Sequence, residues 1–420
     1  MNLVPKRLVA GIAVIALVAS ACSSSGSGSA VTVNWWHIST TDPAKTVFQS
    51  IADAYHTAHP NVTIKITILE NEAFKTKLAT ELQAGNVPDL FQSWGGGIMA
   101  AQADAGMLKD ITSDIASWKD TINPGALGIY AYKGKQYGVP WDMGMIGVWY
   151  NKALFKTAGI DAAPATWDDF LADVGKLKTA GITPLAIAGK DMWPSMHLWT
   201  YLVLRIGGKA ALDQMVQSKN WNTDACTKAG AEVVKLNALT PYQDGFEGAT
   251  YDNEAALVGN AKAAMEVMGQ WAPAVENADS TSKTGIGADL GWFPFPTVTG
   301  GAGLATDGVG GGNGVAVGKN ASPEALDFLK FISQTNNANA INAANIGLSP
   351  VLGTEATVTD ANLKLVLAGR AKATNMQLYL DQATSPAMGT AINEATIALF
   401  DGKSDPAKVC KAITDAAAAQ

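Results

Sequence analysis

From residue 31 the apolar positions first alternate and then switch to helical spacing. Val31, Val33 and Trp35 share one face of the run 31–36, the period-two signature of a strand. Asp42-Pro43 then opens a helix whose apolar positions Val47, Phe48, Ile51, Ala54, Tyr55 and Ala58 recur every three or four residues. His59-Pro60-Asn61 breaks it, and Val62, Ile64, Ile66 and Ile68 alternate as a second strand. A helix over 71–84 follows, with Phe74, Leu78 and Leu82 on one side and Gly85 as its cap. Pro88-Asp89 leads into a third strand, 90–93. Strands and helices alternating over short connections predict an α/β fold with a doubly wound, mostly parallel sheet.

The rhythm resumes further on. A helix is expected over 166–181, strands over 182–188, 261–268 and 315–318, and a helix from Ser322-Pro323-Glu324 through Ile332. From Leu352 the chain reads as helices. Tyr137-Gly138-Val139-Pro140-Trp141-Asp142 and Phe293-Pro294-Phe295-Pro296 read as extended crossovers between lobes, because 420 residues exceed what one core usually supports.

The chain begins with Lys6 and Arg7 before an uncharged run, 8–21, that ends at Ala19-Ser20-Ala21-Cys22. A basic start, a 14-residue apolar run and small residues before a cut describe a secretory signal, and the run is short for a bilayer-spanning helix. Cysteine directly after the cut resembles a bacterial lipoprotein lipobox, although Ala19 stands where leucine is usual. The small polar stretch behind it, 22–30, reads as a tether. Removing residues 1–21 takes the net charge from −7 to −9, and the chain has three arginines and no basic run, so nucleic acid is a poor partner. Besides Cys22 only Cys226 and Cys410 occur. In an oxidising compartment they form one disulfide or stay two structural thiols, and neither lies beside a histidine that would make it a nucleophile.

Twelve tryptophans are the compositional outlier, and several follow predicted strand ends. Trp35-Trp36-His37, Glu70-Asn71-Glu72, Trp94-Gly95-Gly96-Gly97, Gly189-Lys190-Asp191-Met192-Trp193-Pro194 and Gly269-Gln270-Trp271 all occupy such exits. Open α/β sheets bind ligands beyond the carboxyl ends of their strands. Indoles interleaved with amides and carboxylates suit a pyranose, whose C–H face stacks while its hydroxyls take hydrogen bonds. The plainer alternative is that each ring fills space under a loop. Glu70, Asp142 and Glu247 offer carboxylates for a glycosidase pair, but sugar-binding sites contain carboxylates without catalysis. His56-x-x-His59 lacks a third ligand motif for a metal. Gly308-Val309-Gly310-Gly311-Gly312-Asn313-Gly314 fits neither a phosphate loop nor a dinucleotide fingerprint. Its glycines suit backbone approaching a ligand or flexing between lobes.

Taken with the lipobox, Pro88-Asp89-Leu90 before Trp94-Gly95-Gly96, Tyr137-Gly138-Val139-Pro140, Trp149-Tyr150-Asn151-Lys152 and Gly259-Asn260-Ala261-Lys262-Ala263-Ala264-Met265 before Gly269-Gln270-Trp271 form an ordered set. The chain resembles the extracellular solute-binding proteins of family 1, the carbohydrate receptors of ABC importers. Within them, Trp94-Gly95-Gly96-Gly97, Trp141-Asp142-Met143-Gly144-Met145 and Lys190-Asp191-Met192-Trp193-Pro194 look most like xylobiose or xylo-oligosaccharide receptors of actinobacteria. The resemblance implies a two-lobed, periplasmic-binding-protein-like fold with a hinged cleft, no catalysis and no cofactor. It implies a first lobe of 31–141 plus 308–348 and a second of 142–305 plus 351–420, with crossings near 140–144, 305–308 and 348–351. Trp193 and Trp271 would be stacking platforms on the second lobe, facing Trp94 and Trp36. Glu70, Asn71, Asp142, Gln270 and Asn313 would meet hydroxyls, His37 would be a further candidate, and Gly95, Met143 and Gly312 complete the set. His37 as a packed strand-end residue and Asn71 as a helix cap are the structural alternatives. The implied partners are an oligosaccharide, permease subunits with a separate cytoplasmic ATPase, and a lipid on Cys22 holding a monomer at the extracellular face of the membrane.

Overall fold

The computed structural model describes residues 29–419. The signal segment, Cys22 and most of the tether lie outside them. Two sheets with separate cores make two lobes. The first sheet has the order 62–68, 31–37, 90–93, 314–317, 138–140. Its first three strands are parallel, with Val31 opposite Val62 and Trp35 opposite Leu90. The predicted alternation is what builds it: Val33 and Trp35 point into a core with Phe48, Tyr55 and Phe328. The other face carries Phe74, Leu78, Leu82, Phe91 and Tyr130.

The second sheet has the order 290–293, 147–151, 263–268, 183–185. Here the expectation of mostly parallel pairing fails. Only 263–268 and 183–185 run parallel, while 147–151 is antiparallel to both of its neighbours. Strand 314–317 is likewise antiparallel to 90–93 in the first sheet. Parallel neighbours need a long return crossover, usually a helix. Strand 147–151 instead comes directly off the crossing at 141–145 and runs against the local direction. The pattern of apolar positions carries no strand direction, and every residue of Ala263–Met268 is buried, which erases the alternation as well.

Two other segments differ from the sequence reading, and a third, a long helix, was not read there. Residues 307–311 do not enter the first sheet; they pair with 375–377 and 144–145 in a small sheet between the lobes, and the chain joins the first sheet only at Gly314. Phe293-Pro294-Phe295-Pro296 does not cross between lobes. Phe295 packs in the second lobe's core, stacked 4.6 Å from Tyr201. Helix Trp193–Ser218 runs 26 residues, broken where Gly208 takes φ +76°, and so much of it is buried that no amphipathic stripe marks it. Its Arg205 is fully buried and donates to the carbonyls of Phe295, Pro296, Leu304 and Asp307, pinning the return loop to the helix.

Two buried clusters set the second lobe's stability. Cys226 and Cys410 form a disulfide, with Cα atoms 6.0 Å apart, between helices Asp224–Asn237 and Pro406–Ala418. Glu254, Glu266 and Glu276 meet between helix Tyr251–Gly259, strand Ala263–Met268 and helix Ala272–Asp279, each at most 1% exposed. Burial first, and then the negative charge of Glu266, pushes Glu254 and Glu276 well above the ordinary carboxylate range. Glu266 is raised by burial and lies between them.

These clusters generate two expectations. Replacing both cysteines by serine should cost about 2–5 kcal/mol of stability, measured by denaturant unfolding, because the bridge closes a loop of 184 residues. An unchanged midpoint would contradict this. The raised carboxyls mean that the native state holds protons that the unfolded chain releases above about pH 4.3. Stability from this cluster is therefore full in acid and declines as pH rises. The melting temperature should fall from pH 5 to pH 9. Glu266→Gln, whose amide can donate to either neighbour, should flatten that slope and melt several degrees higher than wild type at pH 8. Superimposable pH profiles would contradict it.

Candidate functional site

The cleft between the lobes is lined by segments that leave strand ends. From the first lobe come residues 38–44 after Val31–His37, Glu70 and Asn71 after Val62–Ile68, and Trp94 after Leu90–Ser93. The second lobe contributes Asp191, Trp193 and His197, then Tyr251 and Asp252, then Trp271 and Asp279, with Tyr379 and Gln382 from its last third. Trp141, Asn313 and Ile346, beside the crossings, complete the lining. Four tryptophans from separate stretches thus face one opening.

Each first-lobe residue is held locally. Glu70 caps helix Asn71–Gln83, its carboxylate accepting the amides of Glu72 at 3.0 Å and Ala73 at 3.2 Å. The cap is therefore Glu70 and not Asn71. Asn71 donates to Glu72 at 2.9 Å, while its buried Oδ1 has no protein partner. One turn on, Lys75 pairs with Glu72 at 2.8 Å and lies 5.6 Å from the centre of the Trp94 ring, a cation–π distance. Gly95 has φ +70°, and a Cβ there would lie 2.5 Å from the Ile129 carbonyl. At Gly96 and Gly97 a Cβ would strike the carbonyls of Gln382 and Thr384 in the opposite lobe. These glycines permit close backbone approach and are not cleft-lining groups.

The second-lobe tryptophans are equally constrained. Trp193 opens its helix, 9% exposed, edge-on to His197 at 5.3 Å and tilted on Tyr251 at 5.1 Å. Asp191 accepts the Tyr251 amide at 2.8 Å, joining the Trp193 loop to the next helix. Trp271 stands perpendicular to Tyr379 at 6.0 Å and folds back so closely that a Cβ on Gly269 would lie 2.1 Å from its ring. The carbonyls of Met268 and Gly269 both accept from the Trp149 indole, at 3.2 and 2.9 Å.

The lining is acidic. Asp42, Glu70, Asp191, Asp252 and Asp279 face a single lysine, Lys75. Burial, then repulsion from Asp252, pushes Asp279 up to about 6. Burial and, further down, the charge of Glu70 raise Asp191 and Asp252. Burial pulls His197 down to about 3, so it is a neutral ring. Buried Asn71 Oδ1, Trp193 Nε1, His197 Nδ1 and Tyr379 Oη have no protein hydrogen-bond partner.

Of the residues singled out in the sequence, Glu70, Asn71, Trp94, Trp193, Trp271 and Asn313 line this cleft. Trp36 and His37 do not. The first strand runs on through His37, so both are still inside the sheet. Trp36 packs against the Phe74 cluster under the Lys77 ammonium, 5.3 Å from its ring centre. His37 is 2% exposed between Trp35 and Phe48, accepts the Ser39 amide at 3.2 Å, and is lowered to about 4 by burial. Asp142 and Gln270 are wholly buried below the lining and bond to each other at 2.6 Å. Met143 and Gly312 are crossing-segment backbone: the Met143 carbonyl accepts from Arg370, and the Gly312 carbonyl from Tyr130. Lys75, His197, Tyr251, Asp252, Asp279 and Tyr379 were not legible as site residues. They sit within helices or at helix ends, with no strand-exit signal.

The carboxylates considered for hydrolysis do not gather, since Asp142 is buried and Glu247 is exposed outside the cleft. His56 contacts the Val62 carbonyl and His59 stacks on Tyr55. Among the described residues no cluster of His, Cys, Asp or Glu is placed to hold a metal, and no helix is long and apolar enough to cross a membrane.

Comparison with known proteins agrees with this architecture. Over 338 residues the chain is 28% identical to a diacetylchitobiose binding protein of Streptomyces coelicolor, covering 78% of this chain and 71% of that one. It is 28% identical over 311 residues to an uncharacterized ABC transporter extracellular-binding protein of Pyrococcus horikoshii, covering 69% and 68%. A structure from work on xylan utilization by Caldanaerobius polysaccharolyticus superimposes with a TM-score of 0.84 and 27% identity, covering 91% of this chain and 99% of that one. Residues 39–338 match the model of the bacterial extracellular solute-binding proteins, and the chain belongs to that family of binding proteins, which are not enzymes.

Proposed function

We propose that this protein is the receptor of a sugar ABC importer, holding a short oligosaccharide between its lobes, with xylobiose or a longer xylo-oligosaccharide as the preferred ligand. The observation that carries the reading is the set of buried polar atoms on Asn71, Trp193, His197 and Tyr379 that find no partner in the protein while aromatic rings surround them. An unpaired buried polar atom costs on the order of 1–3 kcal/mol. A solute with hydroxyls on its edges and C–H faces between them relieves that cost and stacks on the indoles at once. Trp193 and Trp271 serve as platforms from one lobe and Trp94 from the other, and Glu70, Asp191, Asp252 and Asn313 take hydroxyl protons or lone pairs. Lobes of 31–141 with 314–348 and of 142–311 with 351–420 close around the sugar, and closure is favoured by the contacts it adds.

The wider role proposed with it joins the sequence reading of Cys22 to the family's place in ABC importers. Cys22 carries the lipid, the monomer stays at the extracellular membrane face, and permease subunits receive the sugar. A second reading, an N-acetylated chito-oligosaccharide, is favoured by the kinship with the diacetylchitobiose binding protein.

Calorimetry against xylo-, cello-, chito- and malto-oligosaccharides decides among these. The expected result is tightest binding of a xylo-oligosaccharide, and a preference for chitobiose would replace the sugar named here. Trp271→Ala should lose at least about tenfold in affinity, as truncating a central aromatic anchor does. Wild-type affinity in that variant would remove the platform role. Cys22→Ala should move the protein from the membrane fraction to the medium in cell fractionation, and retention in the membrane would contradict the anchor.

A further inference from the structure

Asp142 is the most densely bonded carboxylate of the crossing region. It is fully buried. Its Oδ2 accepts from Gln270 at 2.6 Å and from Asn313 at 2.9 Å, and its Oδ1 accepts the Leu348 amide at 2.7 Å. Those partners come from different places. Gln270 lies two residues past the end of the second-lobe strand Ala263–Met268, next to Trp271. Asn313 belongs to the first lobe, where its Oδ1 accepts from Gln92 at 2.6 Å. Leu348 lies on the last crossing, and its carbonyl accepts the Met143 amide at 2.9 Å. The Asn313 carbonyl returns to the amides of Trp141 and Asp142, at 2.9 and 3.1 Å.

The packing around this knot leaves no slack. A Cβ on Gly312 would lie 1.7 Å from the Asp142 carbonyl, and one on Gly347 2.8 Å from its carboxyl. One on Gly144 would lie 2.0 Å from the Gln270 amide. Three N–H donors converge, and only an acceptor-only group satisfies all three. An isosteric asparagine would turn its own NH2 toward an N–H donor.

We propose that Asp142 is a positioning residue that fastens the two cleft walls together, setting the gap between Trp271 on one lobe and Asn313 on the other. The proposal rests on the reading that a solute is held between the lobes. The clasp is also open to protons. Burial pushes Asp142 up to about 6, against the pull of Leu348, Gln270, Asn313 and the Arg370 guanidinium. The other titratable groups facing it are Tyr130 and Tyr379, both raised by burial and neutral. An opened, solvated carboxyl ionises more readily than the buried one, so the clasp is favoured below about pH 6 and loosens as Asp142 ionises.

Two measurements test this. Small-angle scattering of the ligand-free protein should show a larger radius of gyration for Asp142→Asn than for wild type at pH 8, and wild type should be more compact still at pH 5. Calorimetry with the best-binding sugar should give at least a tenfold loss for Asp142→Asn at pH 8. Wild-type affinity should strengthen between pH 8 and pH 5 by a step that the variant lacks. Gln270→Met removes one arm of the clasp and should widen the protein at pH 8; it carries the test if the Asp142 variant does not fold. A variant that melts earlier but keeps wild-type dimensions, affinity and pH profile overturns the proposal. The scattering result needs no sugar, so it stands even if every oligosaccharide fails to bind.

Discussion

An unpaired polar atom in a dry place must be matched or tolerated at a cost, and the interlobe cleft holds several of them among aromatic rings. That constraint shapes the rest of the molecule. Strand ends supply the lining because they are the points where backbone leaves the sheet and side chains become free to face a ligand. Gly96 and Gly97 bring the first lobe's helix onto the other lobe's backbone. The Trp149 indole ties down the carbonyls of Met268 and Gly269, just before Trp271.

Beneath this surface the second lobe carries polar groups of a different kind. The glutamates at 254, 266 and 276 lie among the two helices and the strand that present Tyr251, Trp271 and Asp279 to the cleft. Arg205 holds the return loop through carbonyls alone. Tyr251, Trp271 and Asp279 are therefore mounted on elements packed around buried polar groups, and the lobes join at the crossings. At those crossings Asp142 gathers donors from both halves.

Much of the first lobe was legible because one face of each strand is wet: Val62 and Ile64 alternate with exposed neighbours, and the helix after them keeps its stripe. The second lobe was less so. Ala263–Met268 is buried on both faces, and helix Trp193–Ser218 is buried nearly all round for its first dozen residues, so neither shows a period. Trp193 and Trp271 were found because an exit position is a local feature. Trp36 misled because the strand continues one residue past it, and period two then turns it onto a packed face. Asp142 was visible as a carboxylate near a crossing, but three donors meeting on it from positions 270, 313 and 348 is a property of the fold alone. Tyr251, Asp279 and Tyr379 belong to the same class.

A crystal structure of the protein grown with a xylo-oligosaccharide tests the central claim most directly. The account predicts sugar rings against Trp271 and Trp193, hydroxyls within hydrogen-bond distance of Asn71 Oδ1 and Trp193 Nε1, and an intact glycosidic linkage. Sugar bound elsewhere on the surface, or those polar atoms still unpaired beside a bound ligand, would contradict it.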